Sequence, residues 1–300
     1  MELRQLEYFQ AVARTGSISA AARELRVSQP SLSMTISRLE DDLGVQLFDR
    51  TGSRIVLNDT GRDLLQNADQ ALTALKEMRS KAADRTGGAT PQISFGVSTA
   101  GYTIQLLSQY MDHFPNHIIR QYYQNRETLR TMLERGELDF ALAKGKISGA
   151  NILWTPLVEE ELFALVGPTS PLFRQEEVHI SELVKQPFAL NNTDLTDTGD
   201  FYRLFSAFDE LPRIQLMSQE SAVVMEAVKR GVGVGLVSSV LLACDTLGMM
   251  HHAMKPLRIT GIDTSSTLGI ARSKGRYLSS AAQQCYDFTQ EFFRELATKL

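Results

Sequence analysis

Residues 17–43, SISAAARELRVSQPSLSMTISRLEDDL, constrain this chain more than any other stretch. Two short helical patterns stand so close together that only a sharp corner fits between them. In the first, residues 20–25, Ser17 or Ser19 is the N-cap and the run Ala20-Ala21-Ala22 is small enough for a second helix to pack closely. The second begins after Arg26-Val27, with Ser28 as its N-cap and Pro30 in the first turn, where a missing N–H costs nothing. Leu32, Ile36, Leu39 and Leu43 form its buried stripe, which leaves Gln29, Ser31, Ser33, Met34 and Ser37 on other faces.

That remaining face is uncharged up to Arg38, whereas a solvated helix face usually carries Lys and Glu. Short donors and acceptors reach base edges, and Gln pairs bidentately with adenine N6 and N7. The other reading is a serine-rich surface helix, which the adjacent corner argues against. A helix over residues 3–14, with Leu3, Leu6, Phe9, Val12 and Ala13 at helical spacing, precedes the pair and stops at Thr15-Gly16. Residues 49–57 read as a ribbon turning at Thr51-Gly52-Ser53, with Arg50 and Arg54 flanking its tip. Beside a recognition helix such a ribbon is a wing, and its arginines lie over the DNA backbone or minor groove; otherwise it is an exposed hairpin with ordinary charges.

Charge decides little by itself. The net charge is −4, and up to Arg62 eight arginines face eight acidic residues. Phosphate attraction is local, screened over about 8 Å at physiological salt, so convergence of Arg38, Arg50 and Arg54 on one face matters more than the sum. With 43% hydrophobic and 22% charged residues in 300, the chain has enough material for two or three cored domains. No run approaches the roughly 18 consecutive apolar residues of a membrane span, and the N-terminus is amphipathic, so the expectation is a cytoplasmic protein without membrane contact.

From Thr60 to about Ala83 a single helical pattern carries Leu64, Leu65, Ala68, Ala71, Leu72, Leu75, Met78 and Ala82 along one seam. A seam of that length needs a partner, and a second copy of the chain is the expected one. A linker, residues 84–91, follows.

The remaining residues alternate strands with helices, which implies parallel crossovers and ligands at the carboxyl ends of the strands. Strands are expected at 93–97, 118–123, 138–143, 162–166, 188–190, 214–217 and 267–271, and helices at 102–114, 127–134, 180–184, 222–230 and 279–297. The strand ends offer Ser98, Thr99 and Gly101 after the first, Gln124 and Asn125 after the second, and Lys144 after the third. Further on they offer Asn191, Asn192 and Ser218. A small polar turn before a helix N-terminus suits an anion, and a lysine at a strand's end pairs with an acidic ligand. The plainer readings are helix capping by Ser98 and Thr99 and an exposed loop position for Lys144. Two crossings between subdomains, at 162–166 and 267–271, would make a hinge.

LEYFQAVARTGSISAAARELRVSQPSLSMTISRLEDDLGVQLFDR, then IVLNDTGRDLL, LDFALA and VKRGVGVG, in that order, resemble the bacterial LysR-type transcriptional regulators over essentially the whole chain. Asp49 stands where that family often has arginine and Asn58 where it often has threonine. The resemblance implies an N-terminal all-α winged helix-turn-helix with a long linker helix, then a C-terminal α/β, periplasmic-binding-protein-like sensor of two Rossmann-like subdomains. The expected boundaries are 1–59, 60–90 and 91–300, with subdomain I at 91–163 and 268–300 and subdomain II at 164–267. It also implies a homodimer through the linker helix, a homotetramer that bends double-stranded DNA, and RNA polymerase as a further partner. No cofactor is expected.

Rival functions have weaker footing. The glycines of Gly231-Val232-Gly233-Val234-Gly235 follow a helix and precede a strand, the reverse of a dinucleotide fingerprint. His113, His117, His251 and His252 lack carboxylates or cysteines at ligand spacing. No serine sits in a nucleophile elbow, so an enzyme has nowhere to place its chemistry. A redox-sensing regulator using Cys244 or Cys285 is the other alternative, and the apolar neighbours Leu241, Leu242 and Phe288 argue against a reactive thiol.

Overall fold

The computed structural model describes residues 1–51, 54–86, 90–99, 101–191, 199–244 and 253–300. Contacts divide the chain into two compact units, one holding Met1–Thr90 with Thr131–Asp139 and Gly275–Ser280, the other the remainder.

In the first unit, α1 (Leu3–Thr15) ends at Gly16, and α2 (Ile18–Glu24) starts where the Ser17 side chain accepts from the Ala20 amide at 3.3 Å. Ser17, not Ser19, is therefore the cap. The corner that follows is made by Arg26, whose φ of +56° makes it the non-glycine residue with positive φ among those described. That left-handed step is uncommon for a residue with a Cβ, and it lets the Val27 amide reach Ala22 O at 2.9 Å. α3 (Gln29–Leu43) opens with Ser28 accepting from the Ser31 amide at 3.3 Å and closes at Gly44, whose φ of +69° is the left-handed cap only glycine takes without cost.

The three helices enclose Phe9, Val12, Ala21, Ala22, Leu32, Ile36 and Leu39. Leu43 does not join them: it is 37% exposed. The chain reverses at Gly44 and brings in Leu47 and Phe48 instead, with the Phe48 ring edge-on to Phe9 at 5.6 Å. Glu40 is buried beside that reversal and accepts from the Leu47 amide at 2.8 Å. β1 (Phe48–Thr51) and β2 (Arg54–Leu57) form the antiparallel ribbon, with Arg50 opposite Ile55. α4 (Asp59–Thr86) is 28 residues long, about 42 Å at 1.5 Å per residue, and absorbs residues 84–86 that composition assigns to a linker. Asn58 caps it, accepting from the Gly61 amide at 2.7 Å, so the departure from threonine there keeps a capping side chain. Asp69 on α4 accepts from Gln10 at 2.7 Å and pairs with Arg135 at 3.2 Å.

The second unit is built on β3 (Gln92–Val97), α5 (Thr103–His113), β4 (Ile118–Tyr123), α6 (Arg126–Glu134), whose last residues fall in the first unit, and β5 (Phe140–Lys144). β3 pairs in parallel with both β4 and β5. Next comes β6 (Ile152–Val166), of which composition exposes only the apolar second half. Its first half alternates and carries Glu159 and Glu160, a pattern that hides a strand buried on one face only.

β7 (Glu177–His179), α7 (Ile180–Leu183), β8 (Phe188–Asn191), α8 (Asp200–Phe205), β9 (Ile214–Ser218), α9 (Ser221–Lys229), β10 (Gly235–Ser238) and α10 (Ser239–Ala243) follow. β11 (Lys255–Thr260), β12 (Ser265–Ser273) and α11 (Ser280–Ala297) complete the chain. The sheet order is β4-β3-β5-β12-β6-β11-β7, with β10 also on β6, while β8 and β9 form a parallel pair of their own. β6 is the strand common to both halves: residues 152–161 pair with β12, and residues 162–166 with β10 and β11. Phe188, Phe201, Leu204 and Phe205 lie in the core of the second half.

Candidate functional site

Two sets of side chains emerge from these elements. On α3, Gln29, Pro30, Ser31, Ser37 and Arg38 are exposed, Met34 is 52% exposed and Ser33 is half-buried. The Leu32, Ile36 and Leu39 stripe turns this uncharged face outward, as the spacing predicts. Gln29 Oε1 accepts from Ser19 Oγ at 3.0 Å, a contact from the preceding helix that orients the amide and that helical spacing alone does not reveal. Ser33 and Ser37 also line a recess of about 260 Å³ with Gln46 and with Asp49 and Ile55 of the ribbon. The backbone of the wing holds Arg50 and Arg54 near its tip, but the side chains of both lie outside the described residues.

In the second unit, Ser98 follows β3 and accepts through Oγ from the Lys144 amide at 3.1 Å, so the ends of β3 and β5 are joined by a hydroxyl. Ser98 is not the cap of α5; that position falls to Tyr102, which makes no side-chain cap bond. Thr99 is half-buried beside it. A Cβ on Gly101 would meet Leu241 of α10 at 1.9 Å, so the bare α-carbon permits that close approach. Asn125 accepts from the Thr128 amide at 2.9 Å and so caps α6.

Asn191 and Ser218 are brought together as register partners at the ends of β8 and β9. Asn191 donates to Gln219 O at 3.3 Å and to Ser221 Oγ at 3.2 Å, and Ser218 accepts from the Glu220 amide at 3.1 Å. Asn192 lies outside the described residues.

Lys144 is not an exposed loop lysine. Its ammonium lies 2.7 Å from Asp200 Oδ2 and 3.2 Å from Glu160 Oε1. Arg203 reaches Asp200 at 3.3 Å and donates to Ser265 O at 3.0 Å and Thr264 O at 3.2 Å, while Ser266 Oγ donates to Glu160 at 3.2 Å. Sequence reasoning missed Glu160, Asp200 and Arg203. Two of the three lie in segments without an evident helical or strand pattern, and no spacing rule links them to Lys144.

Cys244 and Cys285 are both buried, and burial pushes the Cys244 thiol up to about 11. The His117 ring lies 2.8 Å from the Tyr110 hydroxyl, and burial lowers its pKa. His251 and His252 lie outside the described residues. No described helix is long and apolar enough to cross a membrane.

Residues 3–62 match the family profile described as a bacterial regulatory helix-turn-helix protein, lysR family, and residues 86–294 match the LysR substrate binding domain. The HTH-type transcriptional regulator YybE of Bacillus subtilis (strain 168) is 28% identical over 98% of this chain and 100% of its own length. Among solved structures, a full-length OxyR variant from Pseudomonas aeruginosa is 22% identical with a TM-score of 0.68, covering 98% of this chain and 95% of that one. CbnR complexed with target DNA is 20% identical with a TM-score of 0.61, covering 97% of this chain and 99% of that one. Both structural likenesses concern the fold.

Proposed function

We infer that this chain, which belongs to the LysR family of bacterial transcriptional regulators, reads its operator through α3 and is controlled by a small anionic metabolite held between the two halves of its sensor. A DNA-binding domain and an effector-binding domain come with the family; the residue roles are our own reading. Gln29, Pro30, Ser31, Ser33, Met34 and Ser37 contact bases, and Arg38, Arg50 and Arg54 contact phosphates. We assign effector contacts to Ser98, Thr99, Gly101, Asn125 and Lys144 in one half and to Asn191 and Ser218 in the other, with Asn192, outside the described residues, assigned from the sequence alone.

The observation that carries the effector reading is the Ser98 hydroxyl joining the carboxyl ends of β3 and β5 through the Lys144 backbone amide, at the strand end from which the Lys144 ammonium projects to Asp200 and Glu160. Carboxyl ends of parallel strands are where open α/β sheets take ligands. β6 then serves as the hinge, since it belongs to both halves.

The chain acts in the cytoplasm as a homodimer through α4 and as a tetramer, on double-stranded DNA and with RNA polymerase. Leu72 and Leu75 on α4 are half-buried and Met78 is 61% exposed, an apolar seam that a second copy would cover. The two sensor edges add Ile104 and Met111 of α5 with Tyr123 of β4, and Met217 of β9 with Val223 of α9, all exposed.

We read the sensor as a binding protein without catalysis. Redox sensing is the weaker alternative because buried thiols, one of them raised in pKa, react slowly as nucleophiles. A thermal-shift screen of cytosolic carboxylates and phosphates on the full chain tests the effector reading, since binding to the native state raises stability with the logarithm of ligand excess. Stabilisation by an anion, lost in Ser98→Ala, is the expected result. Unchanged promoter response after replacing both cysteines with serine would remove the redox alternative.

A further inference from the structure

The cation expected to hold the effector already has a carboxylate. Lys144 ends β5, while Asp200 is the first residue of α8, whose Phe201, Leu204 and Phe205 are fully buried in the core of the other half of the sensor. The 2.7 Å contact between them therefore bridges the two halves. Glu160, the second carboxylate on Lys144, lies on β6 one residue before pairing passes from β12 to β10: Glu160 opposes Ser266, and Leu162 opposes Ser238. Glu160 is 5% exposed and receives Ser266 Oγ as well, so it is a fixed part of the hinge. Asp200 differs from it, because it rides on a short helix and is also engaged by Arg203, which is anchored on the Thr264 and Ser265 carbonyls.

We propose that Asp200 is a built-in counter-ligand, a carboxylate of the protein that occupies the Lys144 ammonium in the empty sensor and that an anionic effector must displace. The inference rests on the anion reading given above and adds the regulation of that site. Two consequences follow from the geometry. Exchange of Asp200 for an effector carboxylate conserves charge at Lys144, so binding an anion creates no unpaired charge beside the buried Glu160. The exchange also releases α8 from β5, which turns a local substitution of one carboxylate for another into motion about β6. Only anions whose contacts exceed those of Asp200 shift the equilibrium, so the counter-ligand sets a threshold against weak monoanions.

The test is calorimetric titration of the full chain with malonate, a small dicarboxylate. Asp200→Asn removes the competing charge with little change of shape and should bind malonate about tenfold more tightly than the parent, one order in the dissociation constant. Lys144→Gln placed in the Asp200→Asn background should erase that gain. Asp200→Glu, which keeps a competing carboxylate, should resemble the parent. Glu161→Gln removes a charge from β6, next to Glu160, without touching Lys144 and should change affinity by less than about twofold, which separates direct competition from loss of net charge. Hydrogen exchange supplies the second readout: amides of α8 should exchange faster in Asp200→Asn without ligand, and faster in the parent once malonate is present. If the parent binds malonate and Asp200→Asn binds it no more tightly, the counter-ligand is refuted while the anion site stands. If neither binds malonate up to millimolar concentrations, both readings fall together.

Discussion

Ser98 Oγ accepts the backbone amide of Lys144 at 3.1 Å, so two strand ends separated by 46 residues share one hydroxyl at the proposed effector site. Ser98→Ala leaves that amide without its partner, at a cost of about 1 kcal/mol of sensor stability, and removes the hydroxyl proton from the site. Effector response should be abolished while operator affinity is retained. An effector affinity equal to that of the parent, measured by calorimetry, would rule out this pocket.

Gln29 is the exposed residue at the start of α3 whose amide oxygen is already oriented by Ser19. Gln29→Ala should cost about 1–3 kcal/mol of discrimination at one base pair. Binding isotherms on the operator and on random DNA separate the roles: equal loss on both means a backbone contact.

Glu40 is buried with the Leu47 amide as its donor at 2.8 Å. Glu40→Ala strands that amide and opens space behind the chain reversal, so the N-terminal module should lose about 1–3 kcal/mol. Chemical denaturation followed by far-ultraviolet circular dichroism measures it, and an unchanged midpoint would remove Glu40 from the list of structural determinants.

Asp69 has its pKa raised, with burial the largest cause and the Gln10 hydrogen bond and Arg135 charge opposing it. A carboxyl whose folded pKa lies above its unfolded value holds its proton more tightly when folded, so stability falls as pH rises from the ordinary value of 3.8 through the folded one. The parent should therefore lose stability relative to Asp69→Asn across that interval, and the difference should level off above it. Urea midpoints of both proteins at successive pH values give the comparison, and parallel curves would contradict it.

Where the pattern is local, the elements were legible. Ser17, Ser28 and Gly44 bound α2 and α3 because caps act through the nearest few residues, and the neutral face of α3 follows from the period of its buried stripe. Leu43 departs from that stripe: it is the last residue of α3 and stays exposed, while Leu47 and Phe48 beyond the Gly44 reversal are buried. The first half of β6, together with β7, α8, α10 and β11, escaped notice since each is short or alternates without a bounding turn signal. At the candidate site the residue types at the strand ends were legible, but their partners were not.

The sequence by itself determined a helix-turn-helix with an uncharged exposed face, a ribbon beside it, a long helix with an apolar seam and an alternating α/β sensor, because periodicity and capping are written over a few residues at a time. Only the tertiary structure decided that Glu40 is buried, that Gly101 admits Leu241, and that Lys144 meets Asp200 and Glu160. Those contacts join residues that are distant along the chain, and no local period specifies which charge a folded sheet will bring within about 3 Å of another.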